Sequence, residues 1–204
     1  MINGPRRPHT QSDQPIHSEP SLLEAIREAT ADAHAALERR LPPGGWTRAQ
    51  YAAFLRATLS VVDIVEPRVQ RWLPDVDGGA GPGAARLRHD LAALGESDAV
   101  APVPELPVID TIAAAFGAAY VLQGSMLGGA IIARTLQPNS QIPGDSVTYL
   151  QPPGVSIGPV WRAFTIRLDA FGGAAPAAEH EAAIDAAQRT FAGFAAAIAR
   201  EGLS

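Results

Sequence analysis

Cysteine and lysine are both missing from this chain of 204 residues. Without thiols it has no disulfides, no thiolate-ligated iron, no iron–sulfur cluster and no cysteine nucleophile. All sixteen basic residues are arginine. That removes Schiff-base chemistry and a phosphate-binding lysine, although GC-rich coding produces the same bias. Basic charge is scarce as well. A net charge of -5 and an isoelectric point near 5.5 argue against nucleic acid as the main partner. Long apolar runs are limited to Thr111 to Leu136, which is long enough to reach across a bilayer. Gln123 and several glycines interrupt it, so it reads as a buried helix of a cytoplasmic protein, with no membrane partner.

Residues 1–20 are polar and proline-rich and carry no apolar signal core, so they read as a disordered lead-in. The remainder, 21–204, is rich enough in apolar residues to bury one core and reads as one domain. Ser21 with Glu24 is a capping box opening a helix from Ser21 to Leu41, which Pro42, Pro43, Gly44 and Gly45 end. Thr47 with Gln50 opens a second helix, expected to stop at Glu66 before Pro67. A short helical piece, Arg68 to Leu73, follows, and then the loop DVDGGAGPG. Further helices are expected over Ala84 to Leu94, Thr111 to Leu136 with Asp110 as its cap, Val160 to Phe171, and Ala177 to Arg200. Residues 137–158 read mostly as loop. No segment shows the alternation of a strand. The pattern predicts an all-α bundle of six to eight helices.

Chemistry concentrates in two of these helices. In the first, Arg27 and His34 are seven residues apart, on one face and about 10.5 Å apart along the axis. Glu38 follows one turn later on the same face. A carboxylate there can take the proton of the histidine Nδ1 and leave Nε2 free for a metal. If His34 holds iron at the centre of a haem, Arg27 reaches the propionate edge. An amphipathic helix with a half-buried structural histidine would show the same spacing. His9 and His17 lie in the lead, and His89 and His180 read as solvated.

The second helix carries Gly124, Gly128 and Gly129 within six residues, each costing roughly 1 kcal/mol relative to alanine in a helix. Gly117, Val121, Gly124, Ser125 and Gly128 fall on one side, with Gly129 at its margin, and Tyr120 stands one turn before Gly124. Either close helix packing or a flat ligand lying on the backbone accounts for so bare a side. With no histidine or arginine on that side, a haem pocket there favours hydroxylation of its own porphyrin ring over O–O cleavage of the peroxidase kind.

Two motifs resemble the haem oxygenase family, most closely its bacterial, bacteriophytochrome-associated type. One is L-x-x-x-I-R-E-A-T-x-x-x-H, Leu22 to His34. The other is Gly124-Ser125-Met126-Leu127-Gly128-Gly129. A weaker likeness lies in Trp161-Arg162-Ala163-Phe164. The resemblance spans Ser21 to Arg200. It implies that His34 is the proximal ligand, with Glu38 behind it and Arg27 on a propionate. Gly124 and Gly128 would lie over the haem, Gly129 would help the helix bend, and Tyr120 would stand at the pocket edge. Arg162 or Arg167 would assist with the propionates. Haem would be both cofactor and substrate, O₂ the co-substrate, and a ferredoxin or reductase the electron donor. The products would be biliverdin, carbon monoxide and ferrous iron, with a bacteriophytochrome as possible acceptor of biliverdin. Many members place an aspartate where this chain has Ser125, which can order water but cannot supply a carboxylate. A non-degrading haem carrier or sensor on the same scaffold therefore stands beside the enzyme. Related helical folds acting on thiamine or quinone precursors would need clustered carboxylates or a cysteine, and neither is found.

Overall fold

The computed structural model describes residues 20–76, 80–136 and 141–203. The lead segment, with His9 and His17, lies almost wholly outside them. The described residues form six α-helices and one 3₁₀ turn with no strand, as the patterning predicts. These are α1 (Leu22–Glu38), α2 (Arg48–Gln70), α3 (Gly83–Ala93), α4 (Ile112–Leu136), the 3₁₀ turn Gly144–Ser146, α5 (Ile157–Gly172) and α6 (Ala177–Arg200). Both predicted capping boxes form, Ser21 with Glu24 and Thr47 with Gln50.

α1 ends at Glu38 rather than Leu41 and α5 begins at Ile157 rather than Val160, and two further boundaries differ for a clear physical reason. Pro67 does not end the second helix, which continues to Gln70. Proline forfeits one backbone bond, and the carbonyl it leaves free belongs to Asp63, four residues earlier. Both residues lie on the exposed side, where water satisfies that group, while Val65, Val69 and Leu73 are buried on the other. Burial of those three outweighs the lost bond. At the start of α4 the cap is Thr111 rather than Asp110, because the Thr111 hydroxyl accepts from Ala114 N at 3.1 Å.

The core follows from where the apolar faces point. α2 runs through the middle, with Tyr51, Leu55, Leu59, Val62 and Val65 buried. α6 packs against α4, α1 and α2, while α5 packs against α4 and α1. α4 is long and apolar enough by composition to cross a membrane. Its first two turns, from Ala113 to Ala119, are buried within the bundle, as in a core helix.

A buried carboxylate fixes the segment after α4. Asp90, wholly buried on α3, accepts from Thr148 N at 3.0 Å, Thr148 Oγ1 at 2.6 Å and Tyr149 N at 2.8 Å. This clamp sets Tyr149 and Leu150 beside α4. Desolvation holds the Asp90 carboxyl above the usual aspartate range, with the hydrogen bonds partly opposing it. Protonation therefore favours the folded chain. Its contribution is complete below the ordinary aspartate pKa and is lost as pH rises through the raised one. Asp90→Ala should cost roughly 3 kcal/mol, since it strands the buried Tyr149 N–H and the half-buried Thr148 N–H and hydroxyl. Urea denaturation checks this, and an unchanged midpoint would show that the clamp contributes nothing.

Candidate functional site: an exposed histidine and an open glycine helix

His34 stands on the outer face of α1, with its side chain 56% exposed. Leu22, Ile26 and Thr30 bury the opposite face, so Arg27, Ala31, His34 and Glu38 form a stripe turned outward. Two neighbours orient the imidazole. Phe191 of α6 meets it edge-on, the ring centroids 5.8 Å apart. Glu38 Oε1 lies 3.7 Å from Nδ1, just beyond hydrogen-bond reach. Nδ1 thus faces the carboxylate, and Nε2 remains as an available nitrogen donor.

The α4 glycines do two different jobs. A Cβ on Gly117 would lie 1.9 Å from the Ala183 carbonyl oxygen on α6, and one on Gly129 would lie 3.1 Å from Leu150 Cδ2. Those two permit close packing, and Val121 beside them is buried too. They do not belong to a bare surface. Gly128, by contrast, would meet nothing within 4 Å, and Gly124 would only touch the Trp161 ring at 3.9 Å. Leu127 and Ile131, the latter 65% exposed, extend the same outward side as Gly128. The result is an uncovered apolar stripe on a helix whose first half is deeply buried.

Aromatic rings frame one end of that stripe. Tyr120 and Trp161 are 5.7 Å apart, and Trp161 continues through Phe164 to Phe116. Tyr120 thus shares the Trp161 ring with Gly124 as a neighbour. Ser125 occupies the angular position between the open glycines and the bundle interior, its hydroxyl donating to Leu122 O at 2.7 Å.

The two arginines of α5 separate by face. Arg162 is seven residues before Asp169, hence on the same side, and Asp169 Oδ1 accepts from Leu23 N at the start of α1. Arg167 instead lines a shallow surface pocket with Asp75, Val76 and Pro159, away from α1. His180, expected to be solvated, contacts the Gly172 carbonyl through Nε2 at 2.8 Å and closes the end of α5. Sequence reasoning missed Phe191 as the neighbour of His34. Phe191 lies on α6, and the contact exists only once that helix packs on α1.

α1 and α4 each pack on α5 and α6 and share no substantial contact of their own. Both groups of site residues therefore lie on helices held apart by the same two neighbours. Among the described residues no three His, Asp or Glu side chains cluster as a metal site. A metal at His34 gains one protein ligand there and must bring most of the others with it, as an ion already held by a macrocycle does.

No family model matches the chain. A haem oxygenase of Xanthomonas campestris pv. campestris (strain 8004) is 32% identical over 160 residues, covering 74% of this chain and 90% of that protein. The chain belongs to the haem oxygenase family. Its fold agrees with this assignment. The haem oxygenase from Neisseria meningitidis, in crystal structures of its NO- and CO-bound forms, superposes with a TM-score of 0.68 at 22% identity, over 90% of this chain and 94% of that one.

Proposed function

We propose that this haem oxygenase homologue binds haem between α1 and α4 and opens it oxidatively, with His34 as the protein's ligand to iron. The observation that carries the reading is the pairing of an imidazole whose Nε2 is available on α1 with a glycine-opened apolar stripe on α4, on helices that share no substantial contact. Haem fits these residues: one nitrogen donor, an apolar wall without side chains at Gly128, and arginines for two carboxylates. When bound, haem would be the substrate and also the source of the oxygen chemistry, ending in biliverdin, carbon monoxide and ferrous iron.

The protein's own part is binding, orientation and proton handling. Glu38 accepts the Nδ1 proton of His34 once its side chain closes the 3.7 Å gap, fixing the tautomer that leaves Nε2 free. Arg27 lies on the His34 face of α1 and receives a propionate. Of the two α5 candidates, Arg162 is the one whose face turns toward α1, so we assign the second propionate to it and not to Arg167. Gly124 and Gly128 let the ring approach the backbone, and Tyr120 bounds the edge. Ser125 orders water and holds a proton where no carboxylate is present. Electrons come from a ferredoxin or reductase, in the cytoplasm. The two motifs of α1 and α4 favour the bacteriophytochrome-associated type, in which biliverdin passes to a photoreceptor.

Arg27→Glu and Arg162→Glu should each weaken haem binding by about tenfold, equivalent to 1.4 kcal/mol, while Arg167→Glu leaves it unchanged. Haem titration followed at the Soret band checks this. Equal losses for Arg162 and Arg167 would remove the assignment by face. The activity itself is tested by aerobic incubation with haem and a reductant. A rising biliverdin band supports the enzyme. A stable Soret band would instead support a non-degrading carrier or sensor, the reading that Ser125 in place of an aspartate keeps open.

A further inference from the structure

The two halves of α4 are supported differently. From Ala113 to Ala119 every residue is buried in the bundle, where the Gly117 backbone lies against the Ala183 carbonyl of α6. From Gly124 onward burial recurs only at Met126, Gly129, Ala133 and Leu136, which share one face, while Leu127, Gly128, Ile131 and Arg134 are exposed. The half that carries the open glycines is therefore held from behind alone. Close-packed groups transmit displacement, so the position of that half follows whatever is packed at its back.

At Gly129 that support is Leu150. A Cβ on Gly129 would sit 3.1 Å from Leu150 Cδ2 and 3.5 Å from its Cα. The backbone of the segment after α4, and not merely a side-chain tip, thus abuts the helix one residue from Gly128. Leu150 is itself buried and cannot drift. Asp90 of α3 accepts from the amides of both preceding residues, Thr148 and Tyr149. Tyr51 of α2 donates from its hydroxyl to Ser146 O at 2.8 Å. Asp90, Tyr51 and Ser146 are all wholly buried. Two helices that do not carry the site therefore hold the segment at two points, and Leu150 passes its position to α4.

We propose that Asp90 and Leu150 are positioning residues for the haem site: Asp90 seats residues 148–149, Leu150 wedges against Gly129, and together they set how far the Gly124–Gly128 backbone stands from the haem. This rests on the reading of that glycine face as the haem site. The clearance has a chemical consequence. It decides how large a molecule fits beside the iron, on the side opposite His34. Asp90 is enclosed in the core and acts only through the chain of contacts that ends at Gly129. Leu150 is the last link in that chain.

Two variants break the chain at different links. Leu150→Ala removes the wedge and leaves the clamp. Asp90→Asn keeps the shape but sets an N–H donor against a backbone N–H that needs an acceptor. The first measurement is amide hydrogen exchange on the haem-free full-length protein. In both variants protection over residues 126–133 should fall by about tenfold, while residues 113–119 keep theirs. Unchanged protection over 126–133 in both variants overturns the proposal. The second measurement titrates the ferric haem complexes with cyanide and with imidazole, a small and a larger ligand. Imidazole affinity relative to cyanide should rise by about fivefold in both variants, since the ratio reads room beside the iron and not overall stability. Leu150→Met, which conserves volume, should restore the ratio. Ile198→Ala, a core truncation in α6 that is no part of the clamp, should lower Tm and leave the ratio alone. A ratio unmoved in both variants, or moved equally by Ile198→Ala, overturns the positioning role. Failure of the unaltered protein to bind haem would refute the haem reading, and with it the effect on clearance. The exchange measurement would still decide whether Asp90 and Leu150 hold the glycine half of α4.

Discussion

His34→Ala should bind haem weakly and without the histidine-ligated Soret spectrum, and its turnover should fall to the level of haem free in solution. The substitution does not threaten the fold, because the side chain is 56% exposed and bonds to no buried group. Its effect is therefore on ligation and not on stability. Added imidazole should enter the vacated space beside Phe191 and restore the spectrum, as a small ligand does when a cavity of its own shape is left open. Glu38→Gln is the graded companion. The carboxylate is 68% exposed and 3.7 Å from Nδ1, so its loss should cost about tenfold in affinity, the low end for a group supporting a metal-bound histidine. If His34→Ala keeps the spectrum of the unaltered protein, iron is held elsewhere and the axial assignment is wrong.

The second large effect separates two glycines of one helix. Gly117→Ala should destabilise the fold by about 3 kcal/mol, an overpacking cost at the upper end. Its new methyl would need to sit 1.9 Å from a backbone oxygen of α6, which cannot rotate away. At this chain length that corresponds to roughly 6–12 °C in Tm. Gly128→Leu should do the reverse. A Cβ there meets no atom within 4 Å, the position is exposed, and the change relieves a helix-propensity cost of roughly 1 kcal/mol, so Tm holds or rises. Haem binding, however, should collapse, because the leucine occupies the space that the bare backbone leaves. Calorimetry and haem titration on the two variants give a crossed pattern: unstable in one, stable but unable to bind in the other. A Gly128→Leu protein that binds and turns over normally would leave the open stripe without a function.

Much of this architecture is legible in the residues. The capping pairs at Ser21 and Thr47 and the apolar period of each helix place all six α-helices. They do so because local rules and tertiary packing agree there. Pro67 shows where they disagree. A proline reads as a stop, but buried valines on either side carry the helix through it. The glycine stripe was half legible. Spacing can count residues without side chains, but it cannot say which face a neighbour. Only the Ala183 carbonyl and Leu150 show that Gly117 and Gly129 serve packing, while Gly124 and Gly128 remain open. His34, Arg27 and Glu38 were placed on one face by their period alone. Choosing Arg162 over Arg167 required Asp169 and its contact with α1, a long-range fact.

The central claim is that one tetrapyrrole fills the gap between α1 and α4, and the structure of the ferric haem complex tests it most directly. The account predicts iron bonded to Nε2 of His34, with the porphyrin against the backbone of Gly124 and Gly128 and its propionates toward Arg27 and Arg162. Iron ligated by another residue, or a porphyrin lying on the outer surface away from those glycines, would contradict it.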